Sequence, residues 1–141
     1  VALTGCTKNP EGAQEPKARL QAYINKSFSI SSASQRKELE QYLTGDSRSR
    51  LAAWSDEQFK LAFIDSKRKN PKIFIRDMKT LKTDEVSITY DLSYDDNSQG
   101  HAAKVTNKKL CSLVNESAVW LIKDCKNIKQ LVEYQNEMAL P

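Results

Sequence analysis

The sequence predicts an α+β fold, with N-terminal helices packed on a curved antiparallel sheet. Three observations predict it. Apolar residues recur at helical spacing through the first half, the period changes at Asn70-Pro71, and Val86, Ile88, Tyr90, Leu92 and Tyr94 then alternate with Ser87, Thr89, Asp91 and Ser93. With 141 residues the chain accommodates one such domain and a tail.

Pro16 stands where proline is tolerated, at a helix start, and Leu20, Ile24 and Phe28 with Tyr23 beside them define a first helix over about 16–28. Ser32 followed by Gln35 has the form of a capping box, opening a second helix through Leu39, Tyr42 and Leu43 to a C-cap at Gly45. Asp46 is placed to cap a third segment carrying Leu51, Ala52 and Trp54, and Ser55 with Gln58 repeats the capping pattern before Phe59, Ala62 and Phe63. Ile73-Phe74-Ile75 is a short apolar strand, followed by the alternating strand at 86–94 and a turn at 95–100. Ala103 and Val105, then Leu110 to Val114, then Ala118 to Ile122 read as further strands, with the inward phase slipping between Val105 and Leu110. Ile128, Leu131, Val132, Gln135 and Met138 fit a helical face, so a C-terminal helix is expected.

Hydrophobic content of 39% against 28% charged residues suits a globular domain, and no run reaches the roughly 18 apolar residues of a membrane-spanning helix. A net charge of +4, interleaved in sign, is not a nucleic-acid footprint.

Leu3-Thr4-Gly5-Cys6 resembles, position by position, the lipobox of bacterial lipoproteins: an aliphatic residue, a small or β-branched one, a small one, then cysteine. The resemblance implies that residues 1–5 are the remnant of a signal peptide and that Cys6 is lipidated. Residues 6–15 are polar and rich in breakers, a tether that spans roughly 17 Å root-mean-square. Residues 16–141 would then form the domain. The chain would sit in the bacterial cell envelope with the membrane as a partner, and because Thr7 replaces the Asp that this family associates with inner-membrane retention, on the outer membrane facing the periplasm in a Gram-negative host.

Of three cysteines, an acylated Cys6 leaves Cys111 and Cys125 as a pair or as two buried thiols. A turn near Asn115-Glu116 would set Cys111 opposite residues 120–122, so a bridge requires a longer loop, a bulge, or a bend at Cys125.

Helices followed by a meander that includes the aromatic strand Val119-Trp120-Leu121-Ile122 resemble the NTF2-like and cystatin-like families over residues 14–126. The resemblance implies a cone-shaped domain, and a terminal helix departs from its usual ending in a strand. Enzymes of that form draw on an Asp, His or Tyr inside the cone, which singles out Asp77, Asp91 and Tyr90. Phe74, Tyr90, Tyr94 and Trp120, with Asp77, are the candidate pocket residues.

Metal and catalytic readings have less support. Asp95, Asn97, Gln99 and Gly100 imitate the opening of a calcium loop, but Thr106 stands where the closing Glu belongs. His101 with two cysteines lacks zinc spacing, and no nucleophile or orienting carboxylate is nominated for it. No cofactor, metal or catalytic residue is therefore assigned. Lys67-Arg68-Lys69 with Lys72 reads either as a solvated helix end or as a contact for anionic headgroups. The expected function is a non-enzymatic envelope lipoprotein binding a protein or small ligand. The competing classes are a small enzyme or ligand carrier and an inhibitor or immunity-type lipoprotein.

Overall fold

A computed structural model describes residues 15–98 and 100–134. Cys6, the lipobox, the tether up to residue 14, Gln99, Gln135 and Met138 lie outside the described residues. The described residues form an α+β unit in which helices cover one face of an antiparallel meander.

Helix α1 (Pro16–Ser27) buries Leu20 and Ile24. A 3-10 turn (Ala33–Gln35) leads into α2 (Arg36–Glu40), and the Gln35 Oε1 atom accepts from the Ser32 amide at 3.0 Å. Helix α2 stops at Glu40, short of the predicted cap at Gly45. The reason is tertiary: the Tyr42 carbonyl accepts from the Ile122 amide and the Thr44 amide donates to the Ile122 carbonyl, both at 2.8 Å. This pulls Leu43 into a parallel bridge with Ile122 and satisfies part of a sheet edge. Gly45 opens α3 (Gly45–Ala53) at φ +58°, a left-handed conformation suited to glycine. Its Cβ position would also lie 3.4 Å from the Lys123 side chain. Helix α4 (Asp56–Phe59) begins with the capping box the sequence predicts: Ser55 Oγ accepts from the Gln58 amide at 3.0 Å and Gln58 Oε1 from the Ser55 amide at 2.8 Å. One π turn (Lys60–Ile64) follows.

Four strands in sequence order, β1 (Arg68–Lys82), β2 (Glu85–Asp96), β3 (Ala103–Glu116) and β4 (Val119–Tyr134), make the sheet. The alternating set Val86, Ile88, Tyr90, Leu92 and Tyr94 is buried beneath the helices with Leu20, Leu39 and Phe59. At about 25 cal/mol per Å² of apolar surface removed from water, this helix-on-sheet contact is the main source of cohesion.

Two expectations are corrected. The run at 110–114 is not separated from 103–105 by a phase slip, because β3 pairs with β2 in one register throughout. Its inward positions at 107 and 109 are filled by Asn107 and Lys109, which hid the period. The segment expected as a C-terminal helix is strand as far as Tyr134, with Leu131 opposite Thr106 and Val132 opposite Val105. A shift in pairing leaves Ile128 without a partner, and this breaks the period-2 pattern into spacings that imitate a helix. The backbone groups of β3 would otherwise lack partners along that edge, so pairing prevails over helix propensity.

Candidate functional site

Between α1, α3 and the inner face of the sheet lies a cavity of about 290 Å³. Its walls are mainly aromatic and aliphatic. Tyr23, Ile24 and Phe28 come from α1 and the residue after it, Leu51 and Trp54 from the end of α3, and Phe63 from the π turn. Tyr90 and Leu92 of β2 and Ile122 of β4 form the floor. Phe63 holds Trp54 at a ring separation of 6.0 Å and Phe59 at 5.0 Å, which fixes the wall made by the irregular segment.

Polar groups enter at defined points. Ser27 and Ser47 are satisfied locally, donating to the carbonyls of Ile24 and Ile122 at 2.7 Å each. Burial pushes the phenols of Tyr23 and Tyr90 above their ordinary range, Tyr90 also by the proximity of Tyr23. The charged lining groups are Arg50, Arg68 and Lys109; no Asp, Glu or His is among the described lining residues.

Arg68 is the most constrained of the three. Its Nε donates to Ser66 Oγ at 3.0 Å, its Nη2 to the Ala62 carbonyl at 3.2 Å, and its guanidinium lies 5.4 Å from the Phe28 ring centre and 5.3 Å from that of Tyr94. Lys109 donates from Nζ to Asn127 Oδ1 at 2.9 Å. Burial first, and then the Arg68 charge, lower its affinity for a proton. Arg50 is paired with Asp124 at 3.4 Å.

Of the residues predicted from sequence, Tyr90 lines this cavity. Tyr94 is buried on the same face of β2 four residues farther along, with its ring 5.6 Å from Phe28. Trp120 sits near the β3–β4 turn, where its carbonyl accepts from Arg19 Nε at 3.0 Å. Phe74 and Asp77 belong to the opposite face: Phe74 pairs with Asp91 and Asp77 with Thr89, both outward positions of β2. Phe74 is 61% exposed, which removes it from any enclosed site. Asp91 accepts from Arg76 Nε at 2.8 Å on the same outer face.

The basic run is not a helix end. Arg68, Lys69 and Lys72 belong to β1, and the alternation turns Arg68 inward. Arg68 and Lys109 are the site residues that sequence reasoning missed. Carrying the phase of Ala103 and Val105 forward by twos through 107 and 109 to Cys111 would have marked Lys109 as inward.

The imitation of a calcium loop is a hairpin connection. Asp95 accepts from Asn70 Nδ2 at 2.8 Å and Asp96 from the Ser98 amide at 2.8 Å. No cluster of metal-ligating side chains occurs among the described residues. His101 is exposed, its ring 6.2 Å from that of Tyr134.

Beside the cavity, a disulfide joins Cys111 and Cys125, which are directly paired across β3 and β4. The register explains how they meet. The turn is Ser117–Ala118, which sets Glu116 opposite Val119 and Leu113 opposite Ile122; Lys123 is then an extra residue, so Ser112 faces Asp124 and Cys111 faces Cys125. Of the routes left open by the sequence, a bulge is the one used.

No family model matches the chain, and no curated protein sequence matches it either. Among solved structures, the crystal structure of a Xanthomonas campestris protein described as a calcium/calmodulin dependent protein kinase II association domain superposes with a TM-score of 0.45 at 15% identity. The match covers 97% of this chain and 100% of that one.

Proposed function

We propose that this chain is a non-enzymatic lipoprotein of the bacterial envelope: lipidated Cys6 and a tether at 6–15 hold an NTF2-like domain, built from residue 16 onward, that binds a small ligand. The observation that carries the binding reading is the cavity beneath α1 and α3, of about 290 Å³ with aromatic walls. That volume is close to the lower bound of roughly 300 Å³ for small-molecule sites. Acid–base catalysis needs a group that exchanges a proton near neutral pH. The described lining holds no carboxylate or imidazole, its phenols are made harder to ionise by burial, and Lys109, whose proton affinity is lowered, already donates to Asn127 Oδ1, so binding is favoured over turnover.

The anchor reading rests on Leu3-Thr4-Gly5-Cys6 and the breaker-rich stretch behind it. In a Gram-negative host, Thr7 directs the chain to the outer membrane, facing the periplasm. Mass spectrometry of the native protein with membrane fractionation tests this. Diacyl or triacyl mass on Cys6, with release into the soluble fraction on Cys6→Ser, is expected. An unmodified Cys6 in the soluble fraction would sink the reading. Ligand extraction from the native protein followed by mass spectrometry tests the cavity, and a stoichiometric small molecule is expected. Crosslinking that captures a protein across the helix-covered face, with no extractable ligand, would replace this reading with a protein-binding one.

A further inference from the structure

We infer that the ligand is an amphipathic organic acid of about ten heavy atoms, its carboxylate held at the Lys109–Arg68 end of the cavity and its apolar body among Tyr23, Phe28, Trp54 and Phe63. This rests on the small-ligand reading above. The argument is one of charge complementarity. The described lining carries three cations and no carboxylate. Arg50 is balanced by Asp124, whereas neither Arg68 nor Lys109 takes part in an ion pair among the described residues.

What holds these two cations in place is neutral: Ser66 Oγ and the Ala62 carbonyl for Arg68, Asn127 Oδ1 for Lys109. Partly withdrawing Lys109 from water without a counter-charge is costly, and the neighbouring Arg68 repels it as well. Burial and the Arg68 charge both act against the Lys109 proton, and a bound anion would offset both. Asp96 tempers the Arg68 charge without supplying that counter-ion: it pairs with Arg68 in the β1–β2 register, and its carboxylate accepts from Ser98. The guanidinium is held against two aromatic rings, so its planar fork is oriented before a ligand arrives. A cavity of about 290 Å³, the volume of roughly ten waters at ~30 Å³ each, accommodates an acid of that size.

Calorimetric titration of the full chain, unlipidated, with octanoate, 1-octanol and octylamine tests this. Octanoate is expected to bind at least tenfold tighter than octanol, with octylamine the weakest. The carboxyl carbon resonance of bound octanoate should titrate at lower pH than that of the free acid, since neighbouring cations favour the ionised form. Lys109→Gln should reduce octanoate affinity about tenfold and leave octanol unchanged. Arg68→Met should do the same where near-UV circular dichroism shows the fold retained, and Lys109→Gln decides the matter where it does not. Octanol binding as tightly as octanoate would overturn the anion assignment while keeping the small-ligand reading. Unchanged octanoate affinity in Lys109→Gln would overturn the placement of the carboxylate, and no binding of any of the three would sink both readings.

Discussion

Reducing the Cys111–Cys125 bridge should cost about 3 kcal/mol. The two cysteines lie 14 positions apart, so the bridge closes a loop of roughly 15 residues, and restricting that loop in the unfolded chain is worth about 3 kcal/mol. The native state gives up little in return, because β3 and β4 already place the two residues opposite each other through their own ladder. For a domain of this size, 3 kcal/mol corresponds to a fall in Tm on the order of 10 °C. The assay is urea unfolding of the unlipidated chain, oxidised and after reduction in denaturant and refolding under reductant. The reduced chain should show a lower midpoint and a steeper slope, since its unfolded state exposes more surface. Thiol titration in denaturant should find one reactive group before reduction, Cys6, and three after it. Identical midpoints, or three thiols at the outset, would refute the bridge.

The remaining predictions concern separate parts of the fold. Ala118 holds φ +70° in the β3–β4 turn, a conformation that costs a residue with a Cβ about 1 kcal/mol, so Ala118→Gly should raise the urea midpoint by roughly that amount. A lower midpoint would mean that the turn is not left-handed at this position. Arg36 Nη1 donates to the carbonyls of Trp54 at 2.7 Å and of Leu51 and Ala52 at 3.5 Å, closing the end of α3 while its guanidinium lies 5.1 Å from the Phe59 ring centre. Arg36→Ala should destabilise by about 2 kcal/mol, whereas Asp56→Ala, which removes a 90% exposed partner, should change stability by less than about 0.5 kcal/mol. Equal losses in the two variants would place the energy in the ion pair instead. Burial raises the folded-state pKa of Tyr23 and Tyr90, so the folded chain keeps protons that the unfolded chain releases above about pH 10. Their contribution to stability is therefore complete below pH 10 and is lost as the pH climbs from there. Phenolate absorbance at 295 nm should show a late cooperative step coincident with loss of circular dichroism, and complete ionisation near pH 10 with the fold intact would contradict this.

Much of the scaffold was legible because it depends on short-range rules. The first helix, the Ser55–Gln58 cap and the strand at 86–94 each follow from neighbours within a few residues, through side-chain spacing and local hydrogen bonds. The site was less legible. Phe74 and Asp77 were placed in a pocket because they are aromatic or acidic near strands, but their cross-strand partners Asp91 and Thr89 put them on the far face. Arg68 reads as part of a surface run of charge, and Lys109 is not singled out. A long cationic side chain can occupy an inward position without an apolar residue to advertise it.

The sequence by itself determined the α+β class and the order of helices before strands, since composition and periodicity carry both. Tertiary structure decided where α2 ends, that residues 128–134 are strand, that Cys111 meets Cys125, and that Arg68 and Lys109 share a cavity. The physical reason is common to all four. Each depends on pairing or packing between segments far apart in the chain: the Ile122 edge captures Leu43, the β3 edge captures residues 128–134, and one extra residue at Lys123 sets the register of the disulfide. The helices laid across the sheet then flank two half-buried cations, of which only Lys109 has an inward phase that its neighbours in sequence carry.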